Sequence, residues 1–160
     1  MKELSFSEDQ IIVSKTDTKG KITYCNDIFI MMSGYKENEL LSKSHNILRH
    51  RDMPKIIFQL LWQTVQSGEE INAYVKNKTK DGNYYWVFAN VTPSMDNNNN
   101  IIGYFSVRRK PSSEALRVIE PLYRELLRIE NTQGVTGSHN YLMNILDKKE
   151  VSYEEFIISI

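Results

Sequence analysis

Two stretches rich in β-branched and aromatic residues, 71–79 and 84–92, are separated by Asp81-Gly82-Asn83. An Asp-Gly pair in so short a gap supplies the positive φ angles of a tight hairpin turn, so the two runs are expected to pair as antiparallel strands. Such a pair must bury its apolar face, and the flanking sequence supplies partners. A third strand reads over Ile101 to Arg108, after the polar tip Asp96 to Asn100. Upstream, 11–17 and 21–25 form a second hairpin around Thr18-Lys19-Gly20. Between the hairpins the pattern turns helical. Asn26 or Asp27 can cap a short helix carrying Ile28, Phe29, Met31 and Met32 and ending at Gly34. Lys36 to Leu41 reads as another helical turn. Asp52 is expected to cap the strongest helix, with Pro54 in its first turn, Ile56, Ile57, Leu60, Leu61 and Val65 along one face, and Gly68 as its end.

From Lys110 the character changes. Pro111-Ser112-Ser113 opens a helix in which Leu116, Ile119, Tyr123, Leu126 and Ile129 follow three-and-four spacing. Pro121 is expected to kink it near Arg117. A Gly134/Gly137 loop should then lead to two short helices, Tyr141 to Leu146 and Tyr153 to Ile158, the second opened by a Ser152-x-x-Glu155 capping box. The fold class is therefore α+β: an antiparallel five-stranded sheet with short helices on one face, plus a C-terminal helical extension. The expected division is 1–110 for the sheet domain and 111–160 for the extension. The stripe on 112–130 needs a surface, whether the sheet, a second copy or a partner's helix. Association, including a homodimer, is the expected role.

Several function classes are disfavoured. The 20 basic residues balance 20 acidic ones, so the surplus a nucleic-acid binder uses against phosphates is missing. A single cysteine, Cys25, leaves no disulfide framework or thiolate cluster. No run is long and apolar enough for a membrane span, and the opening MKELSFSEDQ has no signal-peptide core. A cytoplasmic location without direct membrane insertion is expected. No phosphate loop, nucleophile elbow or metal-ligand spacing appears, so an enzyme is not expected.

The segments T-D-T-K-G-K-I-T-Y-C-N-D (16–27), S-G-Y-K-E-N-E-L (33–40), H-N-I-L-R-H-R-D-M-P (45–54), V-K-N-K-T-K-D-G-N-Y-Y-W-V (75–87) and G-Y-F-S-V-R (103–108) resemble a PAS domain. More narrowly they resemble the flavin-binding PAS domains of Aer-type aerotaxis and energy-taxis sensors, including stand-alone CetB-type proteins. That resemblance implies a PAS fold and FAD held between the sheet and the helical face. It also implies redox sensing and signalling to a membrane-bound chemoreceptor-type partner. The matching positions are Asn26, Arg49, His50, Asp52, Trp62, Asn77 and Tyr104. The sequence departs from the family pattern at Arg51, Ile71 and Ser42 to His45.

The residues also speak for themselves. Asn77 shares a strand side with Ile71, Ala73 and Val75, and an amide on an apolar side needs a partner. Arg49 offers a forked donor to phosphate or a fixed charge beside a flavin. Asp52 reads first as a helix cap, and Trp62 equally as core or as a stacking surface. Cys25, on a strand, reads as an inert thiol, unlike the helix-borne cysteine of light-sensing LOV domains. Two other readings stay open. His45 or His50 could ligate haem, or the domain could be a cofactor-free interaction module using the aromatics around Trp86 and Phe88.

Overall fold

The computed structural model describes residues 1–160. Its strands are β1 (Ile12–Thr16), β2 (Ile22–Cys25), β3 (Ile71–Lys78), β4 (Tyr84–Met95) and β5 (Ile101–Arg109). They form one sheet in the order β2-β1-β5-β4-β3, with every neighbouring pair antiparallel. Both expected hairpins form, and the pairing of β1 with β5 joins them. Gly103 sits where β5 approaches β1 so closely that a Cβ would overlap the Thr16 carbonyl oxygen.

Between β2 and β3 lie α1 (Asp27–Ser33), α2 (Glu37–Leu40), a 3-10 turn (His45–Leu48) and α3 (Lys55–Gln66). Asn26 caps α1 by accepting from the Phe29 N–H, and Gly34 ends it in the left-handed region, as the sequence predicts. These elements cover the inner sheet face, where Phe29, Leu40, Leu48 and Ile56 are fully buried with Val87 and Ala73. Asp52 does not cap α3. Pro54 occupies the cap position with no side-chain hydrogen bond, while Asp52 turns outward to Lys76, its carboxylate 2.9 Å from Nζ.

The outer face is covered by α4 (Ser113–Lys149) and α5 (Tyr153–Ser159). Ala115, Ile119, Tyr123, Leu126 and Ile129 form the buried stripe of α4. Tyr74 stacks on Phe88 at 4.5 Å, and Trp86 lies 5.9 Å from Tyr123. The stripe is therefore filled by the chain's own sheet, which corrects the expectation that it serves association. β3 is the edge strand, and two hydroxyls from the extension cover its outward carbonyls. Tyr123 donates to Tyr74 O at 2.6 Å and Tyr153 to Asn72 O at 3.0 Å. An edge strand closed this way offers no template to another chain.

Two helix expectations change. Pro121 does not interrupt α4, because it lies on the exposed side where water can hydrate the freed carbonyl. The break falls at Gly134, at φ 73° and ψ −173°, a conformation that is essentially glycine-only. Gly137 and residues 141–146 are helical and belong to the second limb of α4. The Ser152/Glu155 capping box forms on α5.

Ile119→Ala should cost about 2–5 kcal/mol in urea unfolding, because it empties a fully buried site. Val118→Ala, one residue away at 42% exposure, should change stability by less than about 0.5 kcal/mol.

Candidate functional site

A cavity of about 80 Å³ lies between the inner sheet face and α3. Strand alternation places Ser14, Val75, Asn77, Ala89, Val91, Tyr104, Ser106 and Arg108 on its floor. α3 contributes Phe58, Leu61 and Trp62, and the segment before it contributes His45, Asn46 and Arg49. Trp62 closes one side, edge-on to Tyr104 at 5.4 Å, with its ring 3.3 Å from where a Gly20 side chain would begin.

Arg49, Trp62, Asn77 and Tyr104 thus come together in the cavity wall. Arg49 lays its guanidinium 4.3 Å over the Phe58 ring, and its backbone bridges to that of Asn77. The other three named residues stand outside the wall. Asn26 is occupied by the fold: Oδ1 accepts from Val13 N and Phe29 N, both at 3.1 Å, and Nδ2 donates to Ile11 O. His50 is buried, accepts the Asp52 N–H at Nδ1 (3.0 Å) and lies against Tyr84. Asp52 is half exposed in its pair with Lys76. Burial works against its charge, but the Lys76 bond and charge outweigh that and hold its carboxyl below the usual range.

The polar cluster on the floor was not singled out from sequence. Arg108 is only 7% exposed, and no carboxylate comes within ion-pairing distance. Its Nε donates to Ser106 Oγ at 2.9 Å and a terminal nitrogen lies 3.1 Å from His45 Nε2, which is also 3.3 Å from Ser14 Oγ. Burial lowers the Arg108 pKa to about 10, still far above neutrality, so the guanidinium stays charged. Burial first, and then the Arg108 charge, push His45 well below the ordinary histidine value. A neutral His45 can accept from Arg108, which a protonated one could not. Beside them, the buried Asn77 amide nitrogen and Tyr85 hydroxyl lie near one another but make no hydrogen bond of good geometry, and Thr16 Oγ1 likewise lacks a partner. Burial raises the Tyr85 pKa to about 12, keeping it a neutral donor. Buried donors and a buried cation without a counter-charge are costly, and together they suit an electron-rich, hydrogen-bond-accepting ligand.

The cluster has a pH signature. His45 and His50 both have depressed folded-state pKa values, the latter through burial and then Lys76. Below about pH 6.5 the unfolded chain therefore binds more protons than the native one, and stability falls as pH drops. His45→Gln should flatten the melting temperature's decline between about pH 6.5 and 5. Asp52→Asn should cost less than about 1 kcal/mol, as befits an exposed ion pair and not a helix cap.

Comparison with known proteins agrees with this architecture. The PAS fold family matches residues 22–108, more than half of the chain. The aerotaxis receptor of Escherichia coli K12 is 42% identical over 120 residues, covering 75% of this chain and 24% of that protein. The nitrogen fixation regulatory protein of Klebsiella pneumoniae is 28% identical over 99 residues, covering 62% of this chain and 20% of that one. The chain thus spans about a quarter or less of these relatives. A structure from a study of a flavin analogue in a light-oxygen-voltage domain superposes with a TM-score of 0.63. It is 20% identical, covering 68% of this chain and 83% of that one, and shows the shared fold. No helix here is long and apolar enough to cross a membrane. Strand order, helical cover and matched sequence together make the chain a member of the PAS fold family.

Proposed function

We propose that this PAS domain is a cytoplasmic, non-enzymatic redox sensor. In this reading it holds FAD in the cavity and signals to a membrane-bound chemoreceptor-type partner in energy taxis. The observation that carries the reading is the buried Arg108 charge without a carboxylate, facing the same cavity as the Asn77 amide. The 42% identity to the aerotaxis receptor supports the same direction.

Bound there, an isoalloxazine ring supplies reversible electron uptake that adds negative charge and a proton to the ring. The chain's own residues divide the remaining work. Arg108 holds a fixed positive charge against the growing negative one. His45, kept neutral by burial, holds Nε2 toward Arg108 and helps fix the direction of the guanidinium. Asn77 presents its amide to the cavity. Arg49 closes the wall and ties it to β3 through its backbone bridge. A change of hydrogen bonding at Asn77 therefore reaches the segment leading into α3. Haem is less well served: His45 Nε2 is already engaged by Arg108 and Ser14, and His50 lies outside the cavity.

The purified protein should show the paired near-ultraviolet and blue bands of oxidised flavin, bleached by dithionite. A Soret band instead would identify haem, and a colourless protein that cannot be loaded with FAD would leave an interaction module. Asn77→Ala should lower flavin occupancy more than it lowers the melting temperature of ligand-free protein, because the deleted amide nitrogen makes no hydrogen bond of good geometry. Arg49→Ala should also lower occupancy.

A further inference from the structure

The N-terminus of α3 has no cap of its own. A helix leaves its first N–H groups without intrahelical partners, yet Pro54 caps nothing and Asp52 faces Lys76. The deficit is met from far along the chain. Lys55 N donates to Glu130 Oε1 at 2.8 Å, and Ile56 N to Oε2 at 3.0 Å. The carboxylate also sits at the positive end of the helix dipole. Its Oε2 further accepts from Ser138 Oγ at 2.8 Å, across the Gly134 break. Ser138 is fully buried. One carboxylate therefore joins the start of α3 to both limbs of α4.

The position matters because α3 carries Phe58, Leu61 and Trp62 into the cavity wall, and residues 49–53 lead into its first turn. That lead-in is itself pinned to β3: Arg49 bridges Asn77, and Met53 Sδ accepts from Lys76 N at 3.2 Å. A rearrangement at Asn77 thus moves the segment that ends at the Glu130 carboxylate. We propose that Glu130 is a positioning residue that makes the seating of the second α4 limb and the ordering of the cavity wall one equilibrium. Ligand occupancy and the position of residues 135–160 then set one another, and the extension is the output element. The identity of the ligand rests on the flavin reading above; the coupling between cap and extension does not.

Linkage requires the effect to be reciprocal. The test is amide hydrogen exchange on the full chain, with and without FAD, for wild type, Glu130→Gln, Ser138→Ala and Glu125→Gln. Glu125 pairs only with Arg128 on the same helix and serves as the control. In ligand-free protein, Glu130→Gln should speed exchange at Lys55 and Ile56 and throughout 135–149 together. Ser138→Ala, a smaller change, should do the same more weakly, and Glu125→Gln should do neither. FAD should slow exchange over 135–149 in wild type, and Glu130→Gln should remove that protection and weaken FAD binding about fivefold. Faster exchange confined to residues 55 and 56 would make Glu130 a local cap and overturn the proposal. So would wild-type protection of 135–149 that ignores FAD bound at full occupancy. Wild type that takes up no FAD would overturn the flavin reading, while the ligand-free comparison would still decide the coupling.

Discussion

The charge of Arg108, desolvated on the inner face of β5, is the interaction on which the rest depends. A buried guanidinium without a carboxylate is expensive, and the protein reduces that cost only with neutral groups, Ser106 and His45. His45 must stay unprotonated to accept from it, a state that burial first and then the Arg108 charge maintain. Nothing nearby neutralises the charge, so the inner face remains electropositive at a point walled by Val75, Ala89, Val91 and Tyr104. An interior built this way favours whatever brings negative charge to it, and a ligand whose charge changes with oxidation state is held differently in its two states.

The outer face has the opposite character. Tyr74, Trp86 and Phe88 would expose a continuous aromatic surface, and the first limb of α4 covers it with Ala115, Ile119 and Tyr123. The two faces meet at the edge strand β3. Its inward side carries Asn77 into the cavity, and its free edge is held by Tyr123, Tyr153 and Met53. A small shift of this strand is therefore felt on both sides of the sheet. That geometry gives a ligand-dependent change in the cavity a route to the extension without needing any movement of the sheet's centre.

Local signals read well from sequence because their causes are local. The Asp81-Gly82 turn, the Asn26 cap, the Gly34 end and the Ser152/Glu155 box each depend on a few adjacent residues. Asp52 misled because its Lys76 partner comes from β3, and Pro121 because its cost depends on which side of the helix faces water. The alternation on β3 pointed to Asn77, and the resemblance pointed to Arg49, Trp62 and Tyr104. Arg108 and Ser14 were missed, and His45 was read only as a haem-ligand candidate, because the cluster depends on the pairing of β1 with β5, which joins segments about ninety residues apart. One signal was available: Tyr104, Ser106 and Arg108 alternate on one side of β5, so an arginine had to share the apolar side or end the strand. The Glu130 cap left no comparable trace, since nothing in one more glutamate of a long charged helix announces a partner helix.

The central claim is that the unneutralised Arg108 charge biases a bound flavin toward its electron-rich state. Potentiometric titration of flavin-loaded wild type and Arg108→Gln, followed by absorbance, tests it most directly. The account predicts a lower midpoint in the variant, by at least about 59 mV for a one-electron step, which is about 1.4 kcal/mol. An unchanged midpoint at full flavin occupancy would contradict it.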